Sequence, residues 1–147
     1  MTVIKSSQEV AIMRKAGKIV ATVLQKLKDE IRPGIQTQKL DTIGVEELKK
    51  HGAKASFKGY RGFPASLCVS VNDEVVHGIP SKRQLKEGDI VSLDFGALIQ
   101  GFHGDAAMTV AVGKVSSEAQ MLMDVTKDAL MAGIKVAHNR RDRKSVV

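Results

Sequence analysis

Two aspartates, Asp94 and Asp105, stand in an apolar stretch from Gly88 to Gly113 that reads GDIVSLDFGALIQGFHGDAAMTVAVG. The stretch predicts two β-strands joined in a hairpin, with one aspartate in each strand. An ionised carboxylate among apolar strand residues is costly unless a charged partner compensates it. Because two carboxylates on neighbouring strands also repel each other, the usual compensation is a metal ion.

Whether the two carboxylates meet depends on the register of the hairpin. We expect a turn centred on Gln100 and Gly101. That turn would place Asp94 opposite Ala107 and leave Asp105 as the diagonal neighbour on the same face. A slip of one residue would send Asp105 to the other face. The alternative is two aspartates at strand edges in solvent, with no shared role.

A histidine, His77, is followed directly by Gly78, Ile79 and Pro80, which predicts the point where a strand gives way to a rigid loop. Loops of this kind can hold a side chain toward a cleft, and His77 is therefore a candidate functional residue. The alternative for a lone histidine is a structural role. The chain is expected to reach this loop through a strand over Ser66 to Val71.

The elements that must position these residues begin with a long amphipathic helix over Lys5 to Ile31. Ser6 and Glu9 fit a capping box at its start, and its apolar stripe, predicted to be core, begins at Val10. A second helix is expected to have Thr37 as its N-cap. Together with the hairpin, these helices predict a mixed chain of helices and antiparallel strands.

Length and composition are those of an ordinary globular protein. The 147 residues are 43% hydrophobic and 27% charged, which suffices for one domain with a core. The single cysteine, Cys68, excludes an internal disulfide, and no apolar run approaches a membrane span or a signal peptide. We therefore expect a cytoplasmic protein with no membrane partner.

The net charge of +7 could indicate a phosphate-rich partner such as RNA or a ribosome. Four basic residues and one acidic residue in segment 140–144 contribute +3 of that charge. The other Lys and Arg residues are expected to spread along helices rather than to cluster with aromatic residues. The sequence therefore predicts a solvated basic surface and no specific nucleic-acid partner.

Two stretches resemble a known family. GYRGFPASLCVSVNDEVVHGIP, over 59–80, and GDIVSLDFGALIQGFHGD, over 88–105, are similar to the N-terminal half of bacterial-type (type I) methionine aminopeptidases. The histidine motif, both aspartates and their separation of eleven residues agree with the family pattern. The resemblance extends from the first helix to about Lys135. The VNDEVVHGIP segment favours this branch over the proline dipeptidases, which share the two aspartates.

The resemblance implies an α+β chain with half of a pita-bread fold, in which long helices cover an antiparallel β-sheet. It implies a methionyl aminopeptidase, a metalloexopeptidase that removes the initiator methionine of nascent polypeptides with two divalent ions (cobalt, manganese, iron or zinc). By position, Asp94 and Asp105 match metal ligands, with Asp105 bridging the two ions. His77 matches the histidine that contacts the substrate and assists the reaction.

The resemblance also implies a methionine pocket. Tyr60, Phe63 and Cys68 fall where the family lines that pocket, and His77 contacts the same substrate. Apolar and aromatic walls suit a thioether side chain because it needs no buried polar partner.

The family's remaining ligands, a histidine and two glutamates, lie in its second half, of which only the first helix is expected in this sequence. We therefore expect residues 1–138, with a third helix from about 116 to 136, to be the N-terminal part of a pita-bread aminopeptidase domain. Residues 139–147 are expected to be a basic tail that does not look native. Such a truncated chain is expected to be inactive alone and to self-associate through exposed apolar surface. The alternative is a non-catalytic module that binds peptides or the ribosome surface with the same fold.

Overall fold

The computed structural model describes residues 4–137. In chain order its elements are α1 (Ser7–Glu30), α2 (Thr37–Lys50), β1 (Lys54–Ala55), β2 (Leu67–Val71), β3 (Ile90–Ile99), β4 (Phe102–Ala111) and α3 (Ser117–Val136). A short 3₁₀ helix, Tyr60–Gly62, precedes β2. The chain divides into two units, the first ending at Lys114 and the second beginning at Val115. Each unit is described by itself.

Helix α1 begins with the expected capping box. Ser6 Oγ accepts a hydrogen bond from the Glu9 N–H at 3.3 Å, and Glu9 Oε2 accepts one from the Ser6 N–H at 2.7 Å. The buried part of the apolar stripe begins at Ala16. Val10 and Met13 are 42% and 39% exposed, so the prediction of a core stripe is wrong for the first turns. The core-forming part of α1 is its later turns.

Helix α2 does not begin with the expected threonine cap. Its N-cap is Gln36, whose side chain makes no capping hydrogen bond, and Thr37 is the first helical residue. The Thr37 hydroxyl accepts from the Ser81 N–H at 2.8 Å and donates to the Ser81 carbonyl at 3.1 Å. The Thr37 hydroxyl thus bonds to Ser81, which is 44 residues away in the sequence. A rule based on local capping therefore assigns Thr37 to the N-cap position incorrectly.

Strand β3 is the centre of a four-stranded antiparallel sheet. It pairs with β4 along one edge and with β2 and the two-residue β1 along the other. The β3–β4 hairpin turns at Gln100 and Gly101, whose φ values of 50° and 82° are those of a type I′ turn. This two-residue turn fixes the pairing of every residue in both strands.

The core lies between one face of this sheet and helices α1 and α2. Alternate residues of β3 point into it, and Leu93 and Phe95 are fully buried. Burial of each such side chain stabilises the fold by about 1.5–3 kcal/mol. Because successive strand residues point to opposite faces, the residues between them, Ser92 and Asp94, lie on the other face of the sheet.

Helix α3 is the described element of the second unit, and its predicted bounds are confirmed. Ser116 caps it, since the serine Oγ accepts from the Ala119 N–H at 3.1 Å. None of its residues is buried, and six of its large apolar side chains are 54–62% exposed. They are Met121, Leu122, Val125, Leu130, Met131 and Ile134. Self-association through this apolar surface stays a prediction.

The predicted basic tail, 139–147, lies outside the described residues. Over residues 4–137 no helix combines the length and the apolar character that crossing a bilayer requires.

Two glycines, Gly104 of β4 and Gly17 of α1, allow the packing of the strand against the helix to be tested by substitution. A Cβ on Gly104 would lie 2.6 Å from the Ala16 carbonyl carbon and 2.7 Å from the Gly17 nitrogen. Because these are backbone atoms, we expect Gly104→Ala to lower the free energy of unfolding by about 1–3 kcal/mol. Gly17→Ala meets no atom within 4 Å and should raise it by about 0.5–1 kcal/mol.

Denaturant unfolding followed by circular dichroism measures both changes. Equal and small effects of the two substitutions would contradict the close approach of β4 to α1.

Candidate functional site

The sheet face opposite the helices carries the two aspartates. In the observed register Asp94 pairs with Ala107 and Asp105 pairs with Gly96. The predicted pairing of the hairpin is therefore confirmed, and Asp105 is the diagonal neighbour of Asp94. The alternative, a register slip that separates the two carboxylates, does not occur.

The charges of the two carboxylates act on each other. The pKa of Asp94 is raised to about 6, first by burial, then by the negative charge of Asp105 and by a hydrogen bond between the two side chains. Asp94 is half-buried, whereas Asp105 is exposed. The ionised pair is thus held together at a cost in free energy, and a cation between the carboxylates would offset that cost.

His77 reaches the acidic face from a loop. The expected strand ends at Val71, and Val75 to His77 form no strand. His77 is exposed, with a left-handed backbone at φ 63°. Its charge lowers the pKa of Asp94, against the larger effects that raise it. The imidazole and the acid pair therefore share one electrostatic environment.

The residue after His77 fixes this loop to the free edge of β2. The Gly78 carbonyl accepts from the Val69 N–H at 2.9 Å, and the Gly78 N–H donates to Ser70 Oγ at 3.1 Å. A Cβ on Gly78 would overlap the Val69 carbonyl. Only glycine permits this approach, and as a result His77 is held one strand away from the strand of Asp94.

Cys68 lies beside Asp94, because the two residues are paired between β2 and β3. The side chain is 4% exposed. Burial, followed by the charges of Asp94 and Asp105, raises the pKa of the Cys68 thiol to about 11. At this pKa the group is a neutral thiol near pH 7, a small and largely apolar side chain beside Asp94.

Tyr60 and Phe63 belong to the loop that precedes β2. The Tyr60 ring is 66% exposed, and the Arg61 guanidinium lies 5.5 Å from its centroid. Phe63 is half-buried. The structure thus gathers Cys68, the histidine and the two aspartates, and it leaves Tyr60 and Phe63 in the adjoining loop.

Asp41 of α2 supports this arrangement and is absent from the sequence-based predictions. Its Oδ1 accepts from the Ser66 N–H at 2.8 Å and from the Leu67 N–H at 2.9 Å, so it holds the start of β2 just before Cys68. Two hydrogen bonds to one carboxylate oxygen are charge-assisted and strong. In the sequence Asp41 is only an aspartate inside an amphipathic helix. That pattern does not identify hydrogen-bond partners 25 and 26 residues away.

A second support joins β1 to β4. Ser56 Oγ and His103 Nδ1 are 2.9 Å apart, and the Ser56 N–H donates to the Gly96 carbonyl at 3.0 Å. Since Gly96 pairs with Asp105, this contact bounds the acidic face at the end near the hairpin turn.

The acid pair fits part of a metal site. Carboxylate oxygens are hard donors that suit divalent cations, and the two carboxylates already converge. Within residues 4–137 no three side chains of His, Cys, Asp or Glu come together as a metal ion requires. Asp94 and Asp105 would therefore provide at most two ligands, and no third candidate ligand joins them within residues 4–137.

Comparisons with known proteins agree with this geometry. The model of metallopeptidase family M24 matches residues 11–146. A methionine aminopeptidase of Clostridium perfringens is 51% identical over 138 residues, which are 94% of this chain and 55% of the relative. Methionine aminopeptidase 1 of Bacillus subtilis is 50% identical over 137 residues, which are 93% of this chain and 55% of the relative.

A solved structure gives the same result. The crystal structure of methionine aminopeptidase from Thermotoga maritima superposes with a TM-score of 0.90 at 45% identity, over 92% of this chain and 55% of that one. This superposition confirms the expected half of a pita-bread fold. The chain spans about half the length of the curated relatives that it matches.

The raised pKa of Asp94 predicts how stability depends on pH. Folding favours the protonated carboxyl, with a pKa of about 6 against 3.8 for the ordinary group, so the ionised side chain destabilises the fold as pH rises between these values. In chelator-treated protein, Asp94→Asn should raise the free energy of unfolding at pH 7 by about 1–2 kcal/mol, after allowance for solvent screening. The gain should disappear below about pH 4.

Urea unfolding measures this effect between about pH 3.5, just below the ordinary pKa of 3.8, and about pH 8, well above the raised pKa of about 6. Asp73→Asn, which neutralises an exposed carboxylate in the turn after β2, is the control and should give little change. A loss of stability in Asp94→Asn at pH 7 would overturn the interpretation of Asp94 as a strained charge.

Proposed function

The chain belongs to metallopeptidase family M24, and from this membership we propose that it forms one wall of a metal site that removes the N-terminal methionine of new polypeptides. The convergence of Asp94 and Asp105 on one face of β3 and β4 carries the proposal. The relatives described above are named as methionine aminopeptidases. The non-catalytic binding module, by contrast, gains no support from them.

Asp94 and Asp105 would hold the divalent ions. Cobalt, manganese, iron and zinc all accept carboxylate oxygens. Such an ion, when bound, lowers the pKa of a coordinated water so that hydroxide is available near neutral pH. The part played by this chain is to keep two negative charges together, since the two-residue turn and the strand pairing prevent Asp94 from moving away from Asp105.

His77 would contact the peptide next to the acid pair. Its left-handed backbone and the bonds of Gly78 to β2 fix the direction from which the imidazole approaches. An imidazole N–H at this place would donate a hydrogen bond to the oxygen of the scissile amide as that oxygen gains negative charge. A donor fixed in advance needs little reorganisation during the reaction.

Phe63, Cys68 and the inner edge of Tyr60 would form the methionine pocket. Cys68 is the best placed of the three because it pairs with Asp94. A neutral, buried thiol offers a small apolar surface beside the acid pair. This position would seat the thioether of the substrate close to the bond that is cut.

We propose further that the 147-residue polypeptide does not hydrolyse peptides by itself. The described residues bring two carboxylates together and no third ligand. A site of this kind leaves most positions of a divalent ion to water, and the ion is then held weakly. The nascent chain, and a ribosome surface near which it emerges, are the proposed partners of the complete site.

Manganese binding tests the role of the acid pair. We expect Mn²⁺, followed by electron paramagnetic resonance, to bind the chain weakly. Asp94→Asn and Asp105→Asn should each weaken it at least about tenfold, whereas Asp73→Asn should leave it unchanged. Equal binding by all three variants would contradict the assignment, and a tight two-metal site would contradict the proposed inactivity.

A chimera tests the proposed reaction. Residues 4–137 would be joined to the part of the Bacillus subtilis relative that this chain does not cover. The chimera should release methionine from a Met-Ala-Ser peptide with Mn²⁺, and the 147-residue chain should not. His77→Ala should lower kcat by about 10²–10³-fold with unchanged Mn²⁺ binding.

Full activity of the His77→Ala chimera would overturn the role of His77. A folded chimera that binds Mn²⁺ but releases no methionine would instead favour the binding-module alternative.

A further inference from the structure

The loop between α2 and β2 carries positive charge without compensating negative charge. No acidic residue occurs from Lys49 to Asn72. Lys54, Lys58 and Arg61, here called the basic loop, are all exposed. None of the three forms an ion pair with another residue of the described range 4–137. The basic loop is therefore an unneutralised cationic surface.

Backbone hydrogen bonds close the part of the loop that carries Lys58 and Arg61. The Tyr60 N–H donates to the Phe57 carbonyl at 3.0 Å, and the Gly59 N–H donates to the Phe63 carbonyl at 2.9 Å. Arg61 has a left-handed backbone with φ 48°, which a side chain other than glycine adopts at a cost. That conformation places the Arg61 guanidinium 5.5 Å from the centre of the Tyr60 ring.

This arrangement corrects an expectation from the sequence. The basic residues outside the tail were expected to be spread along helices and not to cluster with aromatic residues. Instead, Lys58 and Arg61 share a loop with Tyr60, whose ring is 66% exposed. Adjacent cations and an exposed aromatic face are the combination with which proteins hold single-stranded nucleic acid.

The combination separates RNA from other anionic partners. An acidic peptide would use the cations alone, because it has no flat ring to stack on Tyr60. A nucleotide offers both a phosphate for the cations and a base for the ring. The neighbouring strand positions also suit a polyanion: Lys54 pairs with Leu98, and Leu98 pairs with His103, neither of which is acidic.

We propose that the basic loop binds the phosphate backbone of single-stranded RNA without regard to sequence, with one base stacked on the exposed part of the Tyr60 ring. This surface lies outside the acid pair, and its function goes beyond the proposed peptidase reaction. It would use the exposed part of the Tyr60 ring, whose inner edge belongs to the proposed methionine pocket.

Fluorescence anisotropy with a labelled oligouridine tests the proposal on the 147-residue chain. The triple variant Lys54→Gln, Lys58→Gln and Arg61→Gln should bind about tenfold more weakly at low salt. The slope of log affinity against log salt should become shallower by about 2, since three phosphate contacts are lost at about 0.7 each.

A matched control removes the same charge elsewhere. Arg14→Gln, Lys15→Gln and Lys18→Gln replace one arginine and two lysines that are exposed on α1, and this variant should keep the affinity and the salt slope of the parent. Equal losses in the two triple variants would show that net charge alone attracts RNA, and would overturn the proposal.

Stacking is tested by Tyr60→Leu, which should weaken oligouridine binding at least about fivefold while leaving the salt slope unchanged. Polyglutamate, a competing anion without bases, should not displace the RNA at equal charge concentration. Displacement by polyglutamate would assign the surface to acidic protein, and unchanged affinity in Tyr60→Leu would overturn the stacking contact and with it the proposal.

Discussion

The two-residue turn at Gln100 and Gly101 is the constraint on which the candidate site depends. Both residues have positive φ, and a turn of this type matches the twist of the strands that it joins. It sets Asp94 against Ala107 and Asp105 against Gly96. Because the side chains of a strand alternate between faces, a shift of one residue would put one carboxylate in the core and an apolar side chain on the site.

The same alternation ties the site to the core. Leu93 and Phe95 flank Asp94 and are completely buried beneath α1 and α2. Their burial holds β3 in register and therefore supplies the free energy that keeps the Asp94 carboxylate next to that of Asp105. Stability on one face of the strand thus permits a strained pair of charges on the other, which is common at functional sites.

Much of this was accessible from the sequence because the signals are local. The Ser6 capping box, the hairpin turn and the alternation around Asp94 each depend on residues a few positions apart, and the structure bears them out. The contacts that support the site are not local. Thr37 bonds Ser81 and Asp41 bonds Ser66, so tertiary partners determine what these polar side chains do.

The basic loop illustrates the same limit. Lys54, Lys58 and Arg61 lie close together in the sequence, but the left-handed backbone at Gly59 and Arg61 sets the course of their loop. Periodicity carries no information about such turns. For the roles of Tyr60 and Phe63, the sequence offers a family resemblance, while the structure gives their loop and exposure.

Asp94 and Asp105 form one coupled pair of carboxylates, and a double-mutant cycle measures that coupling. The free energies of unfolding of Asp94→Asn, Asp105→Asn and the double variant would be compared with the parent at pH 7 without metal. The free energy of unfolding should rise less in the double variant than the sum of the two single increases, by about 0.5 kcal/mol or more, because each substitution removes the same repulsion. Additive effects would show that the two carboxylates do not interact, and would contradict the assignment of Asp94 and Asp105 to one site.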